Sequence, residues 1–120
     1  MYRILVIDDE KSFLGLMEDF LSSLGYSATT AECGKEGLTK FHNDYFDLVI
    51  TDFSMPGMNG FDVAKHIRSS DRPDTPLLCV TGEIDLKKTE IFDQVMIKPF
   101  QIKDLKDTIK QLLVSNKGMR

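Results

Sequence analysis

Residues 47–60 have the sequence DLVITDFSMPGMNG and set the pattern for the rest of the chain. The apolar run Leu48-Val49-Ile50 has the length and composition of a strand that is buried on both faces. Asp52 follows that strand closely, and the Pro56-Gly57 pair is typical of a turn. Asn59 is a good N-cap for a helix beyond the turn. These residues therefore predict a buried strand, a loop that carries a carboxylate, and a helix.

The same alternation of strands and helices continues on both sides. Ile4-Leu5-Val6-Ile7 and Leu77-Leu78-Cys79-Val80 are further apolar runs of strand length, residues 26–31 are rich in β-forming residues, and residues 95–97 predict a fifth strand. Because each crossover between parallel strands must be right-handed and lie over the sheet, this βαβα order predicts a parallel sheet with helices on both faces.

Four segments of the chain predict amphipathic helices. The first ends at Gly25, the second spans about residues 35–43 and is weakened by Gly37, the third follows Asn59, and the last precedes a polar tail, residues 115–120, that we expect to fray. The predicted buried faces of these helices hold, in chain order, Phe13, Leu14, Met17, Phe20, Leu21 and Leu24; Leu38 and Phe41; Phe61, Ala64 and Ile67; and Ile102, Leu105, Ile109 and Leu112.

Length, charge and cysteine usage narrow the class of protein. A chain of 120 residues that is 42% hydrophobic can form one compact core, so we expect a single domain over residues 1–120 with its core in about 1–113. A net charge of −4 argues against nucleic-acid binding by this domain. No stretch fits a signal peptide or a membrane span, and Cys33 and Cys79 lack the spacing of a metal or redox site. We expect a cytoplasmic protein without membrane insertion.

Polar residues follow the predicted strands at the points where the strands end. Asp8 and Asp9 follow the first strand, Asp52 the third, Thr81 the fourth and Lys98 the fifth. Open parallel sheets bind ligands beyond the carboxyl ends of their strands, at the point where the strand order reverses. Three carboxylates gathered there would repel each other and raise their pKa values unless a divalent cation lay among them. Mg²⁺ prefers such oxygen ligands, with room for waters and a phosphate.

Each of these residues taken singly has a simpler explanation. Asp8 and Asp9 could cap a helix, Asp52 could be a loop carboxylate, and Lys98 could be a surface charge. Their joint placement at strand ends makes those explanations much weaker than a shared site.

With these residues in view, the chain resembles the receiver-domain family of bacterial response regulators over about residues 1–113. The matching motifs are Ile4-Leu5-Val6-Ile7-Asp8-Asp9, residues 47–60, Val80-Thr81-Gly82 and Lys98-Pro99-Phe100. The resemblance implies a flavodoxin-like, doubly wound sheet of five parallel strands in the order 2-1-3-4-5. It also implies a two-component signalling switch that a histidine kinase or a histidine phosphotransfer protein phosphorylates, that acts on an unknown downstream protein, and that is not an enzyme for an external metabolite.

The resemblance further implies the chemistry of the site. Asp52 would accept the phosphoryl group as an acyl phosphate, and Lys98 and Thr81 would bind that group. Asp8, Asp9, Asp52 and the main-chain carbonyl of Ser54 would hold Mg²⁺, for which Mn²⁺ could substitute.

Further residues take tuning or switching roles by the same resemblance. Thr81 would be the switch residue, and Gly82 would leave the phosphoryl group accessible. Glu83 and Ser54 would tune the lifetime of the phosphate, and a cis peptide bond before Pro99 would aim the lysine inward.

Two features depart from the family pattern. Val95 stands where the family usually has an aromatic residue, so the aromatic half of the switch is in doubt. Only sixteen residues separate Thr81 from Lys98, so we expect the helix between the fourth and fifth strands to be short or absent. Ile84 and Ile91 are the only apolar pair at helical spacing there. The hypothesis is that residues 83–93 are mobile and ordered by phosphorylation or a partner; the alternative is a helix of one or two turns.

Two other functions compete with a phosphorylation switch. A degenerate receiver could serve as a constitutive docking module, although the intact site residues argue against it. An aspartyl-phosphate phosphatase would typically carry a second aspartate two residues after the nucleophile, where Ser54 stands in this chain.

Overall fold

Alternating strands and helices run through the whole computed structural model, which describes residues 1–83 and 85–118. Between Thr81 and Gln94 the described residues hold one 3-10 turn, Leu86–Lys88. The remaining elements, in chain order, are β1 (Arg3–Ile7), α1 (Lys11–Ser23), β2 (Ser27–Ala31), α2 (Gly34–Asn43), β3 (Leu48–Thr51), α3 (Gly60–Arg68), β4 (Leu77–Thr81), β5 (Gln94–Ile97) and α4 (Ile102–Gly118).

The five strands form one parallel sheet in the order β2-β1-β3-β4-β5. The α/β class and the strand order implied by the resemblance are both confirmed. The chain moves from β1 outward to β2 and then back across β1 to β3, so the strand order reverses at β1. Ile7 of β1 pairs with Thr51 of β3, and Thr81 of β4 pairs with Ile97 of β5. The register therefore brings the ends of β1 and β3 side by side.

Helices cover both faces of the sheet. α2 and α3 pack on one face, where Leu5 and Ile7 point, and α1 and α4 pack on the other, where Ile4 and Val6 point. All four of these side chains are fully buried. A strand that is buried on both faces reads as a continuous apolar run, which is why the runs in the sequence predicted the sheet.

The helix signals in the sequence correspond to observed contacts. Asn59 caps α3: its side chain accepts from the amide of Asp62 at 2.9 Å, and the Asp62 carboxylate accepts from the amide of Asn59 at 3.2 Å. Glycine suits position 37 of α2, because a Cβ there would stand 2.3 Å from Cδ1 of Ile7. The glycine that weakened the helix prediction thus lets α2 approach β1 closely.

One expectation about α4 is wrong. Ile102, predicted on the buried stripe, is 59% exposed, because it stands in the first turn of the helix, ahead of Leu105, which is 1% exposed. Leu113 completes the buried stripe instead. The helix continues through Gly118, into the tail for which the sequence predicts fraying, and that fraying stays a prediction. Met119 and Arg120 lie outside the described residues.

The prediction for the β4–β5 connection is confirmed: in its described residues, one 3-10 turn replaces an α-helix. Ile84, one of the apolar pair noted in the sequence, lies outside the described residues. None of the helices in the described part of the chain is long and apolar enough to span a bilayer.

Arg68 of α3 holds the far half of this connection, residues 89–93. Its guanidinium donates to the carbonyl of Ile91 at 3.1 and 3.3 Å and to the carboxylate of Asp93 at 3.0 Å. Another nitrogen of the same group donates to the carbonyls of Pro73 and Thr75 at 2.6 and 2.7 Å. A second, weaker contact involves the near half, residues 85–88: the Lys88 ammonium lies 5.0 Å from the ring centroid of Phe61.

Candidate functional site

An acidic cluster lies at the carboxyl ends of β1 and β3. Asp8, Asp9 and Asp52 each offer a carboxylate oxygen, and these oxygens lie within 4.8 Å of one another. Asp8 is 1% exposed, Asp9 is exposed and Asp52 is half-buried. The cluster forms because Asp8 and Asp52 each follow a strand in the register that pairs Ile7 with Thr51. The structure thus brings together the three carboxylates that the strand ends predicted.

Asp8 has the least favourable electrostatic surroundings of the three. One of its oxygens accepts a hydrogen bond from the amide of Glu10 at 2.9 Å, and the other, Oδ2, accepts none from the described residues. Burial raises the pKa of Asp8 to about 6, reinforced by the negative charges of Asp52 and Asp9 and opposed by the Glu10 amide and by Lys98. A buried carboxylate oxygen without a donor, next to two more carboxylates, fits the donor set of a hard divalent cation such as Mg²⁺.

Asp52 is held by the main chain around it. Its amide donates to the carbonyl of Ile7 at 3.0 Å, and its Oδ1 accepts from the amide of Ser54 at 3.4 Å. Gly60, the first residue of α3, returns to this point: a Cβ on it would lie 2.2 Å from the carbonyl oxygen of Asp52. The loop between them therefore closes back on Asp52, and only glycine permits that approach.

Lys98 reaches the cluster from the end of β5. Its Nζ lies 3.6 Å from Oδ2 of Asp8 and 4.0 Å from Oε1 of Glu10, and 4.0 Å from the ring centroid of Phe13. Among the described residues no ion pair joins Lys98 to Asp52. The amide of Lys98 donates to the carbonyl of Thr81 at 2.8 Å, and the bond to Pro99 is cis.

Thr81 is buried at the end of β4, with its hydroxyl turned toward its own loop. The hydroxyl donates to the carbonyl oxygen of Glu83 at 3.0 Å and accepts from the Glu83 amide at 3.3 Å. Gly82 is exposed, and a Cβ added to it would meet nothing within 4 Å. The side chain of Glu83 is exposed. This edge of the site is therefore open to solvent.

The remaining sequence-based candidate lies elsewhere. Val95 is half-buried on β5 and packs with Ile91 against the core beneath α2 and α3. In contrast, the structure adds Glu10 and Phe13 to the surroundings of Lys98. The sequence analysis assigned Phe13 to the core stripe of α1 only. No local pattern indicates that Phe13 also borders the site, because its partner there is Lys98, which reaches it from the end of β5.

Comparison with known proteins identifies this combination of fold and site. A five-stranded parallel sheet in this order is the flavodoxin-like, doubly wound fold that the chemotaxis protein CheY also has. Residues 4–110 match the family model described as the response regulator receiver domain. The chain therefore belongs to the response regulator receiver domain family.

Two curated relatives illustrate the match. The chemotaxis protein CheY of Pseudomonas aeruginosa is 31% identical over 119 residues, which cover 92% of this chain and 94% of that protein. A probable transcriptional regulator, ycf27 of Guillardia theta, is 34% identical over 116 residues, 92% of this chain but 45% of that protein. The chain thus spans about half the length of the ycf27 relatives that it matches.

Solved structures agree with the fold. A CheY-like receiver domain protein from Methanospirillum hungatei has a TM-score of 0.94 at 28% identity, covering 100% of this chain and 99% of that one. The response regulator TrrA from Thermotoga maritima, solved in complex with Mg²⁺ and beryllium fluoride, has a TM-score of 0.86 at 38% identity, covering 93% of this chain and 99% of that one.

Proposed function

We propose that this chain is a phosphorylation-dependent switch of a two-component system, in which Asp52 accepts a phosphoryl group from a histidine kinase or a histidine phosphotransfer protein. The observation that carries the proposal is the cluster itself: the Asp52 carboxylate stands within 4.8 Å of the Asp8 and Asp9 carboxylates. Lys98, the one ammonium at the cluster among the described residues, pairs with Asp8 at 3.6 Å. The related TrrA was solved with Mg²⁺ and a beryllium fluoride.

The three carboxylates and the carbonyl of Ser54 would hold Mg²⁺, with Mn²⁺ as a possible substitute. Bound there, the cation would neutralise charge on the carboxylates and on the transferred phosphoryl oxygens.

Transfer itself would use an oxygen of Asp52. That oxygen attacks the phosphorus in line, the bond between phosphorus and the donor's imidazole nitrogen breaks, and the nitrogen keeps the electron pair. The Lys98 ammonium and the Thr81 hydroxyl would then bind the phosphoryl oxygens of the acyl phosphate.

Thr81 would transmit the phosphorylation of Asp52 to the connection between β4 and β5. A hydroxyl has a single hydrogen to donate, and that of Thr81 now goes to the Glu83 carbonyl at 3.0 Å. Donation to a phosphoryl oxygen instead would break the bond to the Glu83 carbonyl and so loosen the connection that follows it. Because Val95 offers no ring to rotate, the connection between β4 and β5 would carry the signal to a downstream protein target.

The wider setting follows from the same proposal. The domain would act in the bacterial cytoplasm, catalyse only its own phosphorylation and dephosphorylation, and bind no nucleic acid by itself. A degenerate receiver used as a docking module is the second candidate, and it is favoured by Val95 and by the single 3-10 turn that stands in place of an α-helix in the described residues between β4 and β5.

Binding of beryllium fluoride tests the proposal against that alternative. We expect the protein to bind it only in the presence of Mg²⁺, followed by ¹⁹F NMR, and we expect Asp52→Asn to abolish the bound signal. Absence of a bound signal in the unmutated protein would favour the docking module.

A further inference from the structure

Phe13 of α1 stands against the lysine of the site. The Lys98 ammonium lies 4.0 Å from the centroid of its ring, well within the range at which the negative face of an aromatic ring attracts a cation. Phe13 is half-buried and packs with the core beneath α1 and α4, so the ring is held in place from behind. It is therefore a fixed surface on which the ammonium rests.

The carboxylates near Lys98 hold it less specifically. Nζ lies 3.6 Å from Asp8 and 4.0 Å from Glu10, both longer than an N–H···O hydrogen bond. Glu10 is exposed, so water screens its attraction. If Asp8 bound a divalent cation, the attraction between Asp8 and Lys98 would weaken as well. The ring of Phe13 would keep its contact in both situations.

We propose that Phe13 is a positioning residue for Lys98, which keeps the ammonium at the rim of the acidic cluster, ready to meet a phosphoryl group on Asp52. The proposal rests on the function proposed above and extends it to a residue outside the family motifs in this chain. A lysine side chain loses considerable rotamer freedom when it is fixed. Contact with the ring removes that freedom before the phosphoryl group arrives, so less of the binding free energy is spent on ordering.

Phe20 provides a matched control for this contact. It lies two turns further along α1, is also half-buried and also packs on the core beneath α1 and α4. No cation rests on its ring among the described residues. Phe20→Leu therefore makes the same chemical change in the same helix and core without disturbing Lys98.

The experiment compares Phe13→Leu, Phe13→Tyr and Phe20→Leu with the unmutated protein. Calorimetry gives the Kd for beryllium fluoride at saturating Mg²⁺ and, separately, the Kd for Mg²⁺ alone. We expect Phe13→Leu to weaken beryllium fluoride binding about three- to tenfold while leaving the Kd for Mg²⁺ within about twofold. Phe13→Tyr, which keeps the ring, and Phe20→Leu should both stay within about twofold of the parent.

A second readout needs neither metal nor phosphoryl mimic. The ring should shift the NMR signals of the Lys98 ε-methylene protons upfield in the metal-free protein. Phe13→Leu should abolish that shift, and Phe13→Tyr and Phe20→Leu should retain it.

Three results would overturn the inference. Unchanged or tighter binding of beryllium fluoride by Phe13→Leu would mean that the ring does not help Lys98, and the proposed function would stand without it. Equal weakening by Phe13→Leu and Phe20→Leu, with Mg²⁺ affinity lost in parallel, would mean that Phe13 only fills the core. Failure of the unmutated protein to bind beryllium fluoride would remove the proposed function and this inference together.

Discussion

Asp8 is the carboxylate of the site on which pH should act most strongly. Its pKa is raised to about 6 by burial and by Asp52 and Asp9, from an ordinary value of 3.8, while the Glu10 amide and Lys98 oppose the rise. Folding therefore disfavours its charged form. The protonated form of Asp8 contributes to stability below the pKa that Asp8 has in the unfolded chain. That contribution is lost as the pH rises through the pKa of Asp8 in the folded protein. A rise of this size corresponds to roughly 3 kcal/mol at neutral pH.

Replacing Asp8 should reveal that cost. In EDTA at neutral pH we expect Asp8→Asn to be more stable than the parent by roughly 1–3 kcal/mol, because the neutral side chain avoids burying a charge. The gap should close as the pH falls from about 6 to about 4, where Asp8 of the folded parent becomes protonated. Urea unfolding across this pH range measures the difference. Asp19→Asn, at an exposed position of α1 away from the cluster, is the control, and an Asp8→Asn variant less stable than the parent in EDTA would contradict the account.

Glu83 should tune the lifetime of the phosphate. The turn at Thr81 uses only the main chain of Glu83, so Glu83→Ala should keep that turn and remove an exposed carboxylate beside the site. We expect the dephosphorylation rate to change more than the phosphorylation rate, as measured by loss of acyl phosphate after removal of the donor. Glu90→Ala, another exposed glutamate of the same connection, should alter neither rate. Equal changes of both rates in Glu83→Ala would speak against this role.

Among the secondary-structure elements, the β4–β5 connection departs furthest from the family pattern. Its far half, residues 89–93, is held by the Arg68 guanidinium through Ile91 and Asp93, and Asp93 in turn accepts from the amide of Leu77 at 2.7 Å. Its near half, residues 85–88, has one 3-10 turn and the contact of Lys88 with Phe61. These contacts argue against the hypothesis of a mobile segment for residues 89–93, and for the near half that hypothesis stays a prediction.

Loss of Arg68 should release the far half. Arg68→Ala leaves several carbonyl groups without their donor, which should cost roughly 1–3 kcal/mol of stability. Hydrogen exchange of the Phe92 and Asp93 amides, which bond to Thr89 and Leu77, should become faster. Lys65→Ala, on the exposed side of the same helix, should leave that exchange unchanged. Slow exchange at both amides in Arg68→Ala would show that the strand alone orders them.

Hydrogen exchange also separates the two halves in the unmutated protein. Without a phosphoryl mimic, we expect weak protection over residues 85–88 and stronger protection over 89–93. Beryllium fluoride should alter exchange mainly in 85–88, because the Thr81 hydroxyl would leave Glu83. Strong protection of 85–88 in the free protein would remove the idea that phosphorylation orders this part.

The sequence predicted the elements and the cluster well because both depend on local patterns. Apolar runs identify strands buried on both faces, and residues just after such strands, including Asp8 and Asp52, must meet at one sheet edge. The Arg68 and Phe13 contacts could not be predicted, since they join elements far apart in the chain through long side chains. Ile102 was misplaced because helical spacing gives the face of a residue but not how far the helix extends past the sheet.

At the scale of the whole molecule, the reversal of strand order at β1 is what creates the site. β1 and β3 end side by side, so Asp8 and Asp52 converge, while β4 and β5 bring Thr81 and Lys98 to the same edge. Helices on both faces hold the sheet, and the crossover to the edge strand β5 has only a 3-10 turn in its described residues. The candidate site and the start of the unusual connection therefore lie at the same edge of the sheet, and the connection then runs back to the amino end of β5, where the Asp93 amide bonds to Leu77.

Covalent phosphorylation of Asp52 is the central claim, and the most direct measurement is intact mass spectrometry after incubation with acetyl phosphate and Mg²⁺. The account predicts a mass increase of one phosphoryl group that requires Mg²⁺, that hydroxylamine reverses, and that Asp52→Asn abolishes. No mass increase in the unmutated protein, or an undiminished one in Asp52→Asn, would contradict it.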